Sequence, residues 1–300
     1  MIDPTYELVE TQAHSSFRCV HKSCATFATE HPMHFHPAYE LTWILRSSGT
    51  RYVGDSVERY SPDDLILSGP NLPHCWRDDP DPGGNNAPEW IIVQFDPGCF
   101  GADFLTIPET GAVCDLLDQA QCGLRFEADT VTLVAPLLRA LVGRNGLSRM
   151  IGLIEILDIL SHQAHRRLAA VDYSRSNVID RSLVERLERV QHYIASHLSE
   201  EISQVEIATL LGMRPPAFSK FFRAATGRTF MSLVKMLRIN EACRLLAATD
   251  ARVTTIALDC GYRHTSHFDE HFQELKGMSP SDYRRRMGGL TPGPTLEISR

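Results

Sequence analysis

A helical pattern stated twice in the last third of the chain restricts its fold more than any other feature. Ile207-Ala208-x-x-Leu211-Gly212-Met213 returns as Ile256-Ala257-x-x-Cys260-Gly261-Tyr262. Phe218 and Phe222 return as Phe268 and Phe272, with one extra residue in the turn, and Gly227 returns as Gly277. Apolar residues three and four apart mark the buried face of a helix, and a glycine ends it where left-handed backbone is needed. Ser203, followed three residues later by Glu206, predicts a capping box in which each side chain takes up a free backbone N–H of the other. Met213-Arg214-Pro215 is a turn, with the proline set to open the next helix. That helix directs Phe218, Phe221 and Phe222 inward and Ser219, Lys220 and Arg223 outward. A long amphipathic helix over about 230–248 separates the copies, with Leu233, Val234, Leu237, Ala242, Leu245 and Leu246 on its apolar side. Ser279-Pro280-Ser281-Asp282 then opens a last short helix ending in Arg284-Arg285-Arg286. Residues 181–287 therefore read as an all-α domain of two helix-turn-helix units.

Such a unit implies double-stranded DNA as partner, because a helix fits the major groove and its N-terminal side chains reach base edges. The outward residues of the two second helices are the candidate contacts: Arg214, Ala217, Ser219, Lys220 and Arg223, then Arg263, His264, Thr265, Ser266, His267 and His271. The competing reading is an all-helical interaction domain with solvated charges. His264, His267 and His271 also stand one helical turn apart, which suits either a metal or DNA contact; no H-E-x-x-H accompanies them.

Residues 181–287 resemble the C-terminal domain of the AraC/XylS family of transcription regulators. The likeness rests on Ile207-Ala208…Leu211-Gly212, Phe218-Ser219-Lys220-Phe221-Phe222, Thr226-Gly227, Arg238…Ala242…Leu245-Leu246, Ile256-Ala257…Gly261-Tyr262 and Ser266-His267-Phe268…Phe272…Gly277-Met278-Ser279-Pro280…Tyr283-Arg284. It implies two recognition helices on adjacent major-groove segments, and RNA polymerase as a further partner. The chain departs from the family where Glu270 and Gln273 replace basic residues and Asp269 adds an acid. Glu270 is open to three roles: accepting from a cytosine amino group, pairing with a base such as Arg284, or none. The first unit is expected to carry more of the nonspecific affinity.

Charge follows the same division. Residues 1–180 hold 13 Lys and Arg against 24 Asp and Glu, whereas residues 181–287 hold 16 against 12. Only the second part suits an anionic partner. Length and an ordinary globular composition fit two domains. No apolar run of 18 residues is present, so a membrane span is not expected, and the N-terminus MIDPTYELVE lacks the regions of a signal peptide. The eight cysteines form no C-x-x-C, which together suggests a reduced, cytoplasmic protein.

Residues 1–107 read as β-structure, with apolar runs at 41–45, 65–67 and 90–95 parted by turn signals. Residues 108–168 turn to helical periodicity, with one stripe of Val131, Val134, Leu137, Leu138 and Leu141 and a second including Ile151, Ile154, Leu157 and Ile159. That pair of helices is expected to need cover and to form a homodimer surface. Residues 169–180 read as a linker and 288–300 as a loose tail. His162 and His165 are placed on the surface of the second helix.

His34, His36 and Glu40 share one strand face, and His74 follows a later strand and turn. Three imidazoles and a carboxylate suit a borderline divalent ion. This text resembles the cupin barrel and equally the cupin-like sensor domain of AraC-family regulators, although Asp63 replaces a usual turn glycine, a position whose backbone angles aspartate tolerates. The resemblance implies that His34, His36, Glu40, Thr42 and His74 line a pocket for a small-molecule effector, with the first, second, third and fifth able to hold a metal. Thr42 and Ile44 fall on the inner face; Leu41, Trp43 and Leu45 face the helices. Trp76 and Trp90 are expected in the core, and Arg46 and Arg51 on exposed strand surface. The fold class is α+β: a cupin-like β-barrel with a helical dimerisation pair, then the double helix-turn-helix. The leading function is an effector-controlled, sequence-specific DNA-binding regulator and not an enzyme. The alternative is a cupin-type isomerase or dioxygenase fused to a DNA-binding domain.

Overall fold

Strands form where apolar and polar residues alternate between turn signals. The computed structural model describes residues 4–7, 9, 15–23, 33–79, 87–171 and 181–288. The chain divides into two units, one of residues 1–185 with 224–227 and one of residues 186–223 with 228–300.

In the first unit a five-stranded sheet runs β1 (Thr5–Tyr6), β3 (His34–Phe35), β8 (His74–Asp78), β5 (Gly49–Val53), β6 (Ser56–Tyr60). A six-stranded sheet runs β11 (His165–Arg167), β10 (Leu124–Phe126), β7 (Leu65–Ser68), β4 (Tyr39–Arg46), β9 (Glu89–Phe95), β2 (Arg18–Ser23). Pairing is antiparallel except between β1 and β3. Alternation along β4 sends its residues to two different cores. Ile44 joins Tyr60, Ile66, Trp76 and Trp90 from both sheets in the core between them. Leu41 and Trp43, with Leu45 packed beside them, join the helical layer of α1 (Gly111–Gln119), α2 (Ala128–Gly143) and α3 (Gly146–Ser161). Asp63 takes the left-handed conformation at φ 67° and accepts from the Trp43 indole at 3.3 Å.

Four expectations change here. Val131, Val134, Leu138 and Leu141 on α2, and Leu157 on α3, are buried against their own sheet. Each such side chain contributes about 1.5–3 kcal/mol, so the stripe needs no second copy to cover it; Leu133, Leu147 and Ile151 are what stays exposed. The segment 108–168 is not wholly helical, because Gly123 turns at φ 65° into β10, which pairs with β7 and β11. His165 therefore lies on a strand, half-buried and bonded to Gln119 at 3.2 Å, while His162 stays exposed beside Asp158. Arg51 is buried, at 1% exposure. It sits across from Trp76 and so points inward, where Asp64 and Glu58 pair with it; a lone guanidinium there would cost several kcal/mol. Arg46 remains exposed, paired with Glu89. Residues 172–180 of the expected linker and 289–300 of the tail lie outside the described residues.

The second unit holds α4 (Arg181–Ser196, from its sixth residue), α5 (Gln204–Leu210), α6 (Pro215–Thr226, to its ninth residue), α7 (Phe230–Ala248), α8 (Val253–Asp259), α9 (Thr265–Lys276) and α10 (Pro280–Gly288). The repeats close their turns with the same bonds. Met213 N–H donates to Ala208 O at 2.8 Å and Tyr262 N–H to Ala257 O at 2.9 Å, around Gly212 at φ 66° and Gly261 at φ 79°. These are the backbone bonds of a left-handed helix end. Phe218 and Phe222 meet Phe230 of α7 edge to face; Phe268 and Phe272 pack with Ile239, Ala242, Cys243 and Leu246 of the same helix. The expected capping box is half formed. Ser203 accepts from Glu206 N–H, but the Glu206 carboxylate accepts from Tyr193 Oη at 2.7 Å, and Tyr193 Oη in turn accepts from Ser203 N–H. Phe221 is only half-buried, under the Arg186 guanidinium.

Candidate nucleic-acid interface and buried histidine cluster

Because Phe218 and Phe222 fix the roll of α6, the opposite face is left to solvent. Arg214, Ala217, Ser219, Lys220 and Arg223 are all exposed. Arg214, Lys220 and Arg223 form no ion pair among the described residues. Ser219 accepts from Gln204 at 2.5 Å and donates to Pro215 O. On α9, Phe268 and Phe272 fix the roll in the same way, and Arg263, His264, Thr265, Ser266 and His267 are exposed. Arg263 is engaged by Glu201 at 2.5 Å. His271 is half-buried, with Nδ1 3.2 Å from Tyr262 Oη. Burial, then the charge of Lys235, lowers its pKa. Arg284 does not meet Glu270, because its guanidinium donates to Leu246 O and Ala251 O. Glu270 is left exposed, without an ion pair among the described residues.

In the first unit His34, His36 and Glu40 do not share one strand as expected: His34 begins β3, the chain crosses between sheets at 36–38, and Glu40 lies on β4; His74 begins β8. One ligand atom from each of His34, His36, Glu40 and His74 lies within 4.8 Å of the others. His36 Nδ1 is 3.0 Å from Ala38 O, and His74 Nδ1 is 2.7 Å from Leu72 O. A carbonyl only accepts, so both Nδ1 atoms carry the proton, and Nε2 is the atom that each ring turns into the cluster and can offer as a lone pair to a cation. His74 Nε2 is fully buried without a hydrogen-bond partner among the described residues, 3.5 Å from Glu40 Oε1. Burial and the nearby His34 charge lower the His74 pKa. Burial alone would raise the Glu40 carboxyl, but the imidazoles of His74 and His36 around it hold it well below its usual range. Lone pairs that converge with so few protons between them fit a divalent cation.

Two neighbours escaped the sequence reading. Glu7, after β1, lies 3.2 Å from His34 Nε2; burial pushes its carboxyl up, but the bond and charge of His34 prevail and hold its pKa at about 2. Gln94 on β9 donates to Glu40 Oε2 at 2.7 Å. Its polarity within the apolar run Trp90–Phe95 was the signal that marked it. Thr42 donates to Glu40 Oε1 at 2.6 Å, as its place on the inner face implied.

Comparison with known proteins follows this division. The helix-turn-helix domain family matches residues 207–286. The regulatory protein PocR of Salmonella typhimurium is 28% identical over 111 residues, 37% of each chain; this chain thus spans little more than a third of PocR. The arabinose operon regulatory protein of the same organism is 24% identical over 253 residues, 82% of this chain and 83% of that one. Among solved structures, the DNA-binding domain of AdpA in complex with a target DNA matches 36% of this chain and 98% of its own, at 28% identity and TM-score 0.35. The C-terminal unit is a helix-turn-helix domain. Both Salmonella relatives are regulatory proteins by name, and what they have in common with this chain includes that helical domain. No described helix is long and apolar enough to cross a membrane.

Proposed function

We propose that the chain is a cytoplasmic, sequence-specific transcription regulator whose C-terminal unit reads two neighbouring major-groove segments under control of a small effector in a cupin-like N-terminal unit. The observation that carries this reading is repetition in space. Two helices, α6 and α9, each 12 residues long, are set by the same glycine turn and the same phenylalanine pair, and each exposes the face opposite that pair. Lys220, Arg214 and Arg223 hold phosphates, while Thr265, Ser266 and His267 face base edges.

The cluster of His34, His36, Glu40 and His74, with Thr42 beside it, supports the sensor half of the proposal. These residues fit a divalent cation, which when bound supplies a Lewis-acidic anchor for an oxygen or nitrogen atom of the effector. The chain's own part is to exclude water and hold the imidazole lone pairs in place. Control of DNA binding requires that the effector bind one arrangement of the protein more tightly than another. A homodimer through α2 and α3 would use the exposed Leu133, Leu147 and Ile151 and raise affinity for paired sites; RNA polymerase is the expected partner on the promoter.

The test is binding to selected duplexes across a salt series. Lys220→Ala lowers affinity for all sequences and reduces the magnitude of the salt slope by about 0.9. Purified protein that holds no duplex at low salt overturns the reading. His36→Ala alters the response to effector while leaving basal DNA binding unchanged.

A further inference from the structure

Arg18, Gln94 and Glu40 form a row across three strands: Arg18 is the register partner of Gln94 between β2 and β9, and Gln94 is the partner of Glu40 between β9 and β4. Residues directly opposite in an antiparallel pair share a face, so the three side chains extend from the sheet edge to the cluster. Arg18 donates to Gln94 Oε1 at 2.7 Å, and Gln94 Nε2 donates to Glu40 Oε2 at 2.7 Å. A guanidinium has donors only. It therefore accepts no amide but one whose oxygen faces outward, and this turns the NH2 group of Gln94 inward. The inward amide meets only acceptors: Glu40 Oε2, then Glu7 Oε2 and His36 Nε2, each at 3.4 Å. A flipped amide would set oxygen against oxygen at the same place. With Thr42 on Oε1 and Gln94 on Oε2, each carboxylate oxygen of Glu40 spends one lone pair on a neutral donor and keeps another free.

We propose that Gln94 is a positioning residue that fixes Glu40 as a ligand for a divalent cation, and that Arg18 sets the direction of its amide from the edge of the sheet. This rests on the cation reading of the histidine cluster given above. Residues that orient a metal ligand typically govern 10- to 100-fold in affinity.

Cobalt(II) titration of the full chain, followed by its visible absorption and by chelator competition, tests the idea. Gln94→Leu, which keeps the shape and loses the donor, weakens cobalt binding by about 10- to 100-fold and changes the absorption of the bound ion. Arg18→Met acts in the same direction, and Arg18→Lys, still able to donate to the amide oxygen, restores affinity. The double variant Arg18→Met/Gln94→Leu binds no more weakly than Gln94→Leu alone, because the two act through one bond chain. Gln94→Leu within twofold of wild type, or a double variant whose losses add, overturns the positioning role. Should Gln94→Leu fail to fold, the contrast between Arg18→Met and Arg18→Lys decides, since Arg18 is partly exposed on its strand. A wild-type protein that takes up no cobalt, or a His74→Ala variant that binds as wild type does, overturns the cation reading itself.

Discussion

At the first turn of the tandem domain, Gly212 has open space where a Cβ would lie; at the second, Gly261 has Leu198 O at 2.7 Å and the Arg238 guanidinium at 2.8 Å. The same contrast runs outward. Around α6 the cations Arg214, Lys220 and Arg223 stand unpaired among the described residues, whereas around α9 Arg263 is tied to Glu201 and Asp269 and Glu270 share the exposed face. The two repeats keep one aromatic skeleton and spend their surfaces differently. What a short helix pair needs to bury is the same in both, and the surface charge differs. In the proposed regulator, the first repeat supplies nonspecific hold and the second supplies discrimination, since a phosphate contact adds affinity to every sequence and a base contact does not.

The largest effects test the shared skeleton. Phe222→Ala and Phe272→Ala each cost about 3–5 kcal/mol, measured by urea unfolding of the full chain. A much smaller loss at Phe222 would break the equivalence of the two cores. Next come the glycines. Gly212→Ala costs about 1–2 kcal/mol for left-handed backbone alone. Gly261→Ala costs about 3 kcal/mol or more, because it also displaces the bond from Arg238 to Leu198 O; equal losses at both would show that the second turn is not braced. Smaller still, Lys220→Ala changes the salt slope by about 0.9 while Thr265→Ala leaves the slope unchanged and alters preference between sites. Smallest, Glu270→Gln strengthens duplex binding at low salt by less than about 1 kcal/mol, and a loss of site preference instead would assign that carboxylate to a base.

The repeats were legible in the sequence because their rules are local. A period of three and four, a capping serine and a glycine with positive φ all act within one or two turns of helix. The four cluster residues were legible as a set, although the one strand expected to carry His34, His36 and Glu40 is broken at 36–38, where the chain changes sheet. What escaped depends on pairing between distant strands. Arg51 reads as an exposed strand residue until its register with Trp76 turns it inward toward Asp64 and Glu58. Gln94 joins Glu40 only once β9 lies against β4, 54 residues away. β10 and β11 have three residues each, too few to show a period, and they took His165 off the helix where spacing had placed it. Glu206 found Tyr193 instead of the backbone of Ser203 because α4 passes the start of α5, a meeting that no local pattern announces.

One consequence concerns α7. Its N-terminal half gives Phe230 to the first aromatic cluster, and its C-terminal half gives Ile239, Ala242, Cys243 and Leu246 to the second. At about 1.5 Å per residue, 19 residues make a strut of about 28 Å, close to the roughly 34 Å of one duplex turn. Adding a single residue would swing everything beyond it by about 100°, out of its own core and, in the proposed regulator, off the groove. In the proposed regulator, substitution on α6 and α9 would change which bases are read. The interval between the two readings is written into a helix that both cores grip, and it can change only if both are rebuilt together.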